Sequence, residues 1–155
     1  WEEYDRGTST LEEVTATISG MTGRPVETCA AVLRLAVDLQ EPVKPTERLV
    51  GDLKAAGYRL YVLSNMSREF IDYLRRFPVY GLFDGEVVSC EELCVKPEPR
   101  IYEILLDRYG LLPSETLFID DGQRNVEAAR QMGFAVYMPA PGEDFTHLLE
   151  SLCEA

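Results

Sequence analysis

The chain has a single histidine, His147, and four cysteines, Cys29, Cys90, Cys94 and Cys153, with no C-x-x-C pair among them. That inventory lacks the ligand spacing of a zinc site, and Cys90 and Cys94, four apart, read as buried or half-buried free thiols of a reducing compartment. Basic residues are scarce as well. Against 27 Asp and Glu stand 15 Lys and Arg, a formal charge of −12. That sign repels phosphate backbones and anionic bilayer surfaces, so neither a nucleic-acid partner nor a membrane is expected. A small phosphorylated metabolite is not excluded, because a bound divalent cation inverts the local field. No apolar run approaches the ~20 residues of a membrane span, and the N-terminus carries no charged-then-apolar leader pattern. The expectation is a soluble, cytoplasmic protein, with its oligomeric state left open.

What is present is ordinary globular matter. Of 155 residues, 46% are hydrophobic and 27% charged, enough for one core with a small appendage and too apolar for disorder. Residues 1–42 read as helical only, a small partial cap. Thr10-Leu11-Glu12-Glu13-Val14 opens a helix with a cap and an acidic first turn. A break at 20–25 follows, and a second helix runs over 26–39. The prolines at 42 and 45 end this part, and residues 43–155 alternate helix and strand.

In that second part, helices are expected over 46–56, 67–76, 99–109, 126–132 and 144–153. Strands are expected at 60–63, near 87–88, at 116–119 and at 135–137. The run Leu60-Tyr61-Val62-Leu63 is continuously apolar, as in a strand buried on both faces. Strands separated by helices imply a doubly wound parallel α/β sheet, whose ligands bind beyond the carboxyl ends of the strands.

Polar groups stand at those ends. The first strand leads into Ser64-Asn65, the second is followed by Lys96, and the third ends in Asp120-Asp121 with Asn125 close behind. Adjacent carboxylates repel, and a hard cation such as Mg²⁺ offsets them while keeping waters and phosphate oxygens as its other ligands. A lysine supplies a point charge, and Ser and Asn supply hydrogen bonds to phosphoryl oxygens. Taken singly, each has a plainer reading: Ser-Asn as a turn, Lys before Pro as a solvated loop residue, Asp-Asp-Gly as a cap. Their joint order points to phosphoryl transfer.

The segments Tyr61-Val62-Leu63-Ser64-Asn65, Val95-Lys96-Pro97-Glu98-Pro99-Arg100-Ile101-Tyr102 and Leu117-Phe118-Ile119-Asp120-Asp121, with Asn125, resemble the second to fourth motifs of the haloacid dehalogenase superfamily. Ser64 and Lys96 lie 32 positions apart, Lys96 and Asp120 24 apart. The resemblance spans about residues 46–140, with the residues before it similar to the family's small helical cap, and it looks like the subgroup holding sugar-phosphate phosphatases and the phosphatase domain of soluble epoxide hydrolases. It implies that Ser64 bonds the transferring phosphoryl group, that Asn65 assists or orients the turn, and that Lys96 stabilises charge. It further implies that Asp120 and Asp121 hold Mg²⁺ and that Asn125 braces their loop. The acidic pair favours a phosphatase over a metal-free dehalogenase.

The family's first motif, D-x-D on the first and central strand, is absent. Phe83-Asp84-Gly85-Glu86 imitates it only superficially and reads as the loop entering the second strand. The nucleophilic aspartate, which would form the aspartyl-phosphate, is therefore expected upstream of Trp1, on a strand between those ending at Ser64 and Asp121. A catalytically inactive binding or scaffold protein with the same fold is the alternative. A phospho-accepting receiver fits poorly, since there the acidic pair ends the first strand. Tyr4, Asp5 and Arg6 could approach substrate but read better as a solvated helix end, and the substrate beyond "phosphate monoester" is left open.

Overall fold

The computed structural model describes residues 1–144, 146–148 and 152. Helices come first. A single turn, α1 (Glu2–Asp5), precedes the pair α2 (Leu11–Thr22) and α3 (Val26–Asp38). Thr10 and Glu13 start α2 reciprocally: the Thr10 hydroxyl accepts from the Glu13 N–H, and the Glu13 carboxylate accepts from the Thr10 N–H at 2.8 Å. Two donors that a helix start leaves free are thereby satisfied.

The next helix, α4 (Lys44–Ala55), carries Pro45 in its first turn. A proline there loses nothing, because first-turn N–H groups have no intrahelical partner. The residue that marks a break in sequence thus becomes a helix start, two residues earlier than expected.

Four strands follow: β1 (Tyr61–Ser64), β2 (Gly85–Val88), β3 (Leu117–Ile119) and β4 (Ala135–Tyr137). Between them lie α5 (Arg68–Leu74), α6 (Ser89–Glu92), α7 (Pro99–Tyr109) and α8 (Gln123–Gln131), with single 3-10 turns at Pro78–Leu82 and Pro113–Glu115. The final helix expected over 144–153 lies largely outside the described residues, as does Cys153.

All pairing is parallel, in two separate pairs. β1 lies against β2, with Tyr61 opposite Gly85 and Ser64 opposite Val88, and β3 lies against β4, with Leu117 opposite Ala135. Among the described residues no strand joins the two pairs. β1 is half-buried along its whole length, where its apolar run predicts burial on both faces.

Side chains join what the ladders do not. Helix α7 sends Ile101, Tyr102 and Leu105 into one core with Val87 of β2, Phe118 of β3, and Ala129 and Phe134, while Tyr61 and Leu63 of β1 and Val136 of β4 lean on it. Tyr102 packs edge-on against Phe118 and Phe134, with centroids 5.5 and 6.2 Å apart. That geometry suits aromatic quadrupoles. A second core of Tyr4, Val14 and Leu33 unites α1, α2 and α3, and reaches α5 through Phe70.

Candidate active site

Strand β1 delivers Ser64 and Asn65 to the turn before α5. The Asn65 amide is spent on the backbone of Lys96: its Oδ1 accepts from the Lys96 N–H at 2.7 Å, and its Nδ2 donates to the Lys96 carbonyl at 2.9 Å. The neighbouring turn is held by Ser89, fully buried, whose hydroxyl accepts from the Met66 N–H at 2.9 Å and donates to the Asp5 carbonyl. The Ser64 hydroxyl makes no side-chain hydrogen bond among the described residues.

Lys96 is clamped at its backbone and engaged at its tip. Its Nζ donates to the Leu63 carbonyl at 2.8 Å and to Asp120 Oδ2 at 2.6 Å, and stands 5.7 Å over the Phe118 ring. The two charged side chains are only 9% and 7% exposed. A charge so buried is tolerated only when paired and hydrogen-bonded, and here both conditions hold. The other Asp120 oxygen, Oδ1, accepts from the Gly122 N–H at 2.8 Å and from Asn125 Nδ2 at 2.9 Å. Asn125 is itself fixed, its carbonyl taking the hydroxyl of buried Tyr102 at 3.0 Å. Burial pushes that phenol up, beyond the ordinary tyrosine range, so it stays a donor.

Asp121 differs from its neighbour. It is exposed at the strand end and makes no ion pair or side-chain hydrogen bond among the described residues. The acidic pair is therefore divided, with one carboxylate consumed by Lys96, Gly122 and Asn125 and the other open. No cluster of three or more His, Cys, Asp or Glu side chains stands ready to hold a metal among the described residues. Mg²⁺ does not require one, since it binds through one or two carboxylates and keeps waters and phosphate oxygens. The open Asp121 carboxylate fits that role.

The six residues singled out from sequence fall on one side of the two strand pairs, linked through Lys96 and Asp120, with Asp121 beside them. Asp84 lies elsewhere, its carboxylate accepting from Lys54 Nζ at 2.6 Å and from the Leu60 N–H at 2.8 Å as the chain enters β2. The thiols of Cys90 and Cys94 are buried, and burial pushes both up from the ordinary thiol range. They are packing groups.

One sequence expectation is corrected. Tyr4, Asp5 and Arg6 are not a solvated helix end. Tyr4 is 3% exposed, its hydroxyl donates to Glu69 at 2.7 Å, and burial pushes it up to about 12. Arg6 bonds both oxygens of Glu98, at 2.6 and 3.0 Å. The physical reason is that α1 packs against α6 and α5, so its last turn faces protein. Ser89, Arg6 and Glu98 carry no sequence signal, because their partners lie 84 and 92 positions away.

Comparison with known proteins finds phosphatases and HAD family structures. A sesquiterpene phosphatase of Aspergillus oryzae is 29% identical over 134 residues, covering 86% of this chain and 68% of that protein. A D-ribitol-5-phosphate phosphatase of Bacteroides thetaiotaomicron is 27% identical over 159 residues, covering 94% and 73%. Among solved structures, a HAD family enzyme from Bacteroides thetaiotaomicron, crystallised as a mutant with magnesium and inorganic phosphate, aligns with a TM-score of 0.78 at 29% identity, over 94% of this chain and 78% of that one. A family model described as haloacid dehalogenase-like hydrolase matches residues 4–133. With its fold and this match over most of its length in accord, the chain belongs to the haloacid dehalogenase-like hydrolases.

Proposed function

We propose that this chain is that of a Mg²⁺-dependent phosphatase acting on small phosphate monoesters. The observation that carries the reading is the division of labour at the end of β3: Asp120 neutralised by Lys96, Asp121 free beside it. Both phosphatase relatives act, by name, on phosphorylated or phosphatase-labile small molecules, and a similar structure holds magnesium and phosphate together.

In this reading Ser64 donates a hydrogen bond to a phosphoryl oxygen, and Lys96 offers its charge to the same group from a site that excludes most water. A preorganised charge in such a site is worth far more than in bulk solvent. Asn65 is a positioning residue, since its amide fixes the lysine backbone, and Asn125 holds Asp120 in place. Asp121 would hold Mg²⁺, which when bound neutralises phosphate oxygens. The aspartyl-phosphate step of this reading calls for a nucleophilic carboxylate in addition to Asp120 and Asp121, and residues 1–42 are read as a cap over the pocket.

The test is phosphate release from a panel of polar and apolar phosphate monoesters by the natural chain, with Mg²⁺ and with chelator. Turnover that needs Mg²⁺ and falls about 100-fold in Ser64→Ala is expected. Absence of turnover, with retained Mg²⁺ or phosphate binding, would instead favour the non-catalytic binding protein.

A further inference from the structure

Glu98 lies two residues beyond Lys96, and its carboxylate folds back on its own loop. Its Oε2 accepts from the Val95 N–H at 3.3 Å, and its own N–H donates to the Val95 carbonyl at 2.8 Å. From outside, Arg6 meets the same carboxylate with two nitrogens, Nη2 to Oε1 at 2.6 Å and Nη1 to Oε2 at 3.0 Å. The guanidinium holds the Glu98 carboxyl below the usual carboxylate range, so the pair stays ionised at neutral pH. On the opposite side the Lys96 backbone is gripped by Asn65. The loop is thus held from two directions.

The anchor at the outer end is firm. Successive residues of α1 and its exit are fixed to different elements: Tyr4 to Glu69, the Asp5 carbonyl to Ser89, Arg6 to Glu98. Gly7 follows at φ 80°, packed so closely on Cys90 that a Cβ would overlap its carbonyl. Arg6 is further held by Glu2 at 2.8 Å. A pair with 22% and 40% side-chain exposure contributes little to stability, since solvent screens such ion pairs. The same pair has a lever on geometry, because misplacing a reacting group by about 1 Å can cost about 100-fold in rate.

We infer that Arg6 and Glu98 are positioning residues for Lys96, acting through the Val95–Glu98 loop and tying the efficiency of the site to the helical segment that carries Arg6. The inference rests on the phosphatase reading above. It deepens that reading by adding a strut that reaches from outside the strand ends.

Four variants of the natural chain test it: Arg6→Met, Glu98→Ala, Glu98→Gln, and the Arg6→Met/Glu98→Ala double, with Arg100→Ala as control. For phosphate release, kcat is expected to fall about tenfold in Arg6→Met and Glu98→Ala, with KM within about twofold. Glu98→Gln, which keeps an acceptor for Val95 and for Arg6, is expected to retain most of the activity. The double variant is expected to be no worse than either single, because one strut is lost once. Unchanged kcat, additive losses, an equal loss in Arg100→Ala, or a KM that moves together with the melting temperature would each overturn the inference.

The Lys96 ¹⁵Nζ resonance provides a readout that needs no turnover. If the unsubstituted chain releases no phosphate from any ester, the phosphatase reading fails by itself and the strut is judged on that signal alone. A shift in Glu98→Ala supports it, and an unmoved resonance overturns it.

Discussion

Lys96 Nζ and Asp120 Oδ2 stand 2.6 Å apart, buried together between two strand pairs that share no backbone ladder among the described residues. An ion pair on the surface adds ~0–1 kcal/mol, whereas removing one member of a buried pair strands the other without a counter-charge.

Lys96→Ala is accordingly expected to lower unfolding stability by about 3 kcal/mol. Adding Asp120→Ala should return part of that loss, since the stranded carboxylate is then gone. Denaturant unfolding of the four proteins of this cycle measures the coupling. Simple additivity would show that the two groups do not sense each other.

The two aspartates at the end of β3 should separate by substitution. Asp121→Asn is expected to abolish Mg²⁺-dependent phosphate release while leaving stability within ~0.5 kcal/mol, as for other exposed sites. Asp120→Asn should reduce both, because its carboxylate also closes the turn through Gly122 and Asn125. Paired assays of turnover and melting decide it, and equal behaviour of the two variants would contradict the division.

Asp84 offers a pH-dependent counterpart without a role in turnover. The Lys54 ammonium, and then the Leu60 N–H, hold its carboxyl below the usual range. A depressed carboxylate contributes stability above its unfolded value of ~3.9, and that contribution is lost as pH falls through the lower, folded value. The stability gap between the unsubstituted chain and Asp84→Asn should therefore be full at pH 7 and shrink in acid, with phosphate release unaffected. A gap that widens on acidification would reverse the assignment.

Two glycines should respond with opposite sign. Gly7→Ala places a Cβ against the Cys90 backbone at a positive φ and is expected to cost more than ~1 kcal/mol. Gly20 sits inside α2 with open space around it, where alanine should add ~0.5–1 kcal/mol. Thermal melting of both variants gives the comparison.

Much of this was legible from the chain. The limits of α7 and β4 follow from Pro99, Gly110 and the apolar triplet at 135–137, because local chemistry alone decides them. Asp120 could be placed from sequence because it stands just beyond the end of β3, and Lys96 and Asn125 through the motifs that carry them. The division between Asp120 and Asp121 could not, since it depends on which carboxylate meets an ammonium 24 positions upstream. Nor could the role of Asn65, whose amide looks equally suited to a phosphate oxygen and is taken instead by a backbone. Arg6 and Glu98 were illegible for a similar reason: pairing across 92 residues leaves no period or spacing to read.

The way α7 packs has a consequence for how the molecule opens. The β1–β2 and β3–β4 ladders are coupled through its buried side chains and the Lys96 ammonium, not by hydrogen bonds from strand to strand among the described residues. Native-state hydrogen exchange should therefore find α7 among the last elements to open, its protection tracking global unfolding. Thinning that helix at Tyr102 should loosen both strand pairs together, since its ring packs on Phe118 and Phe134 and shares the core with Val87.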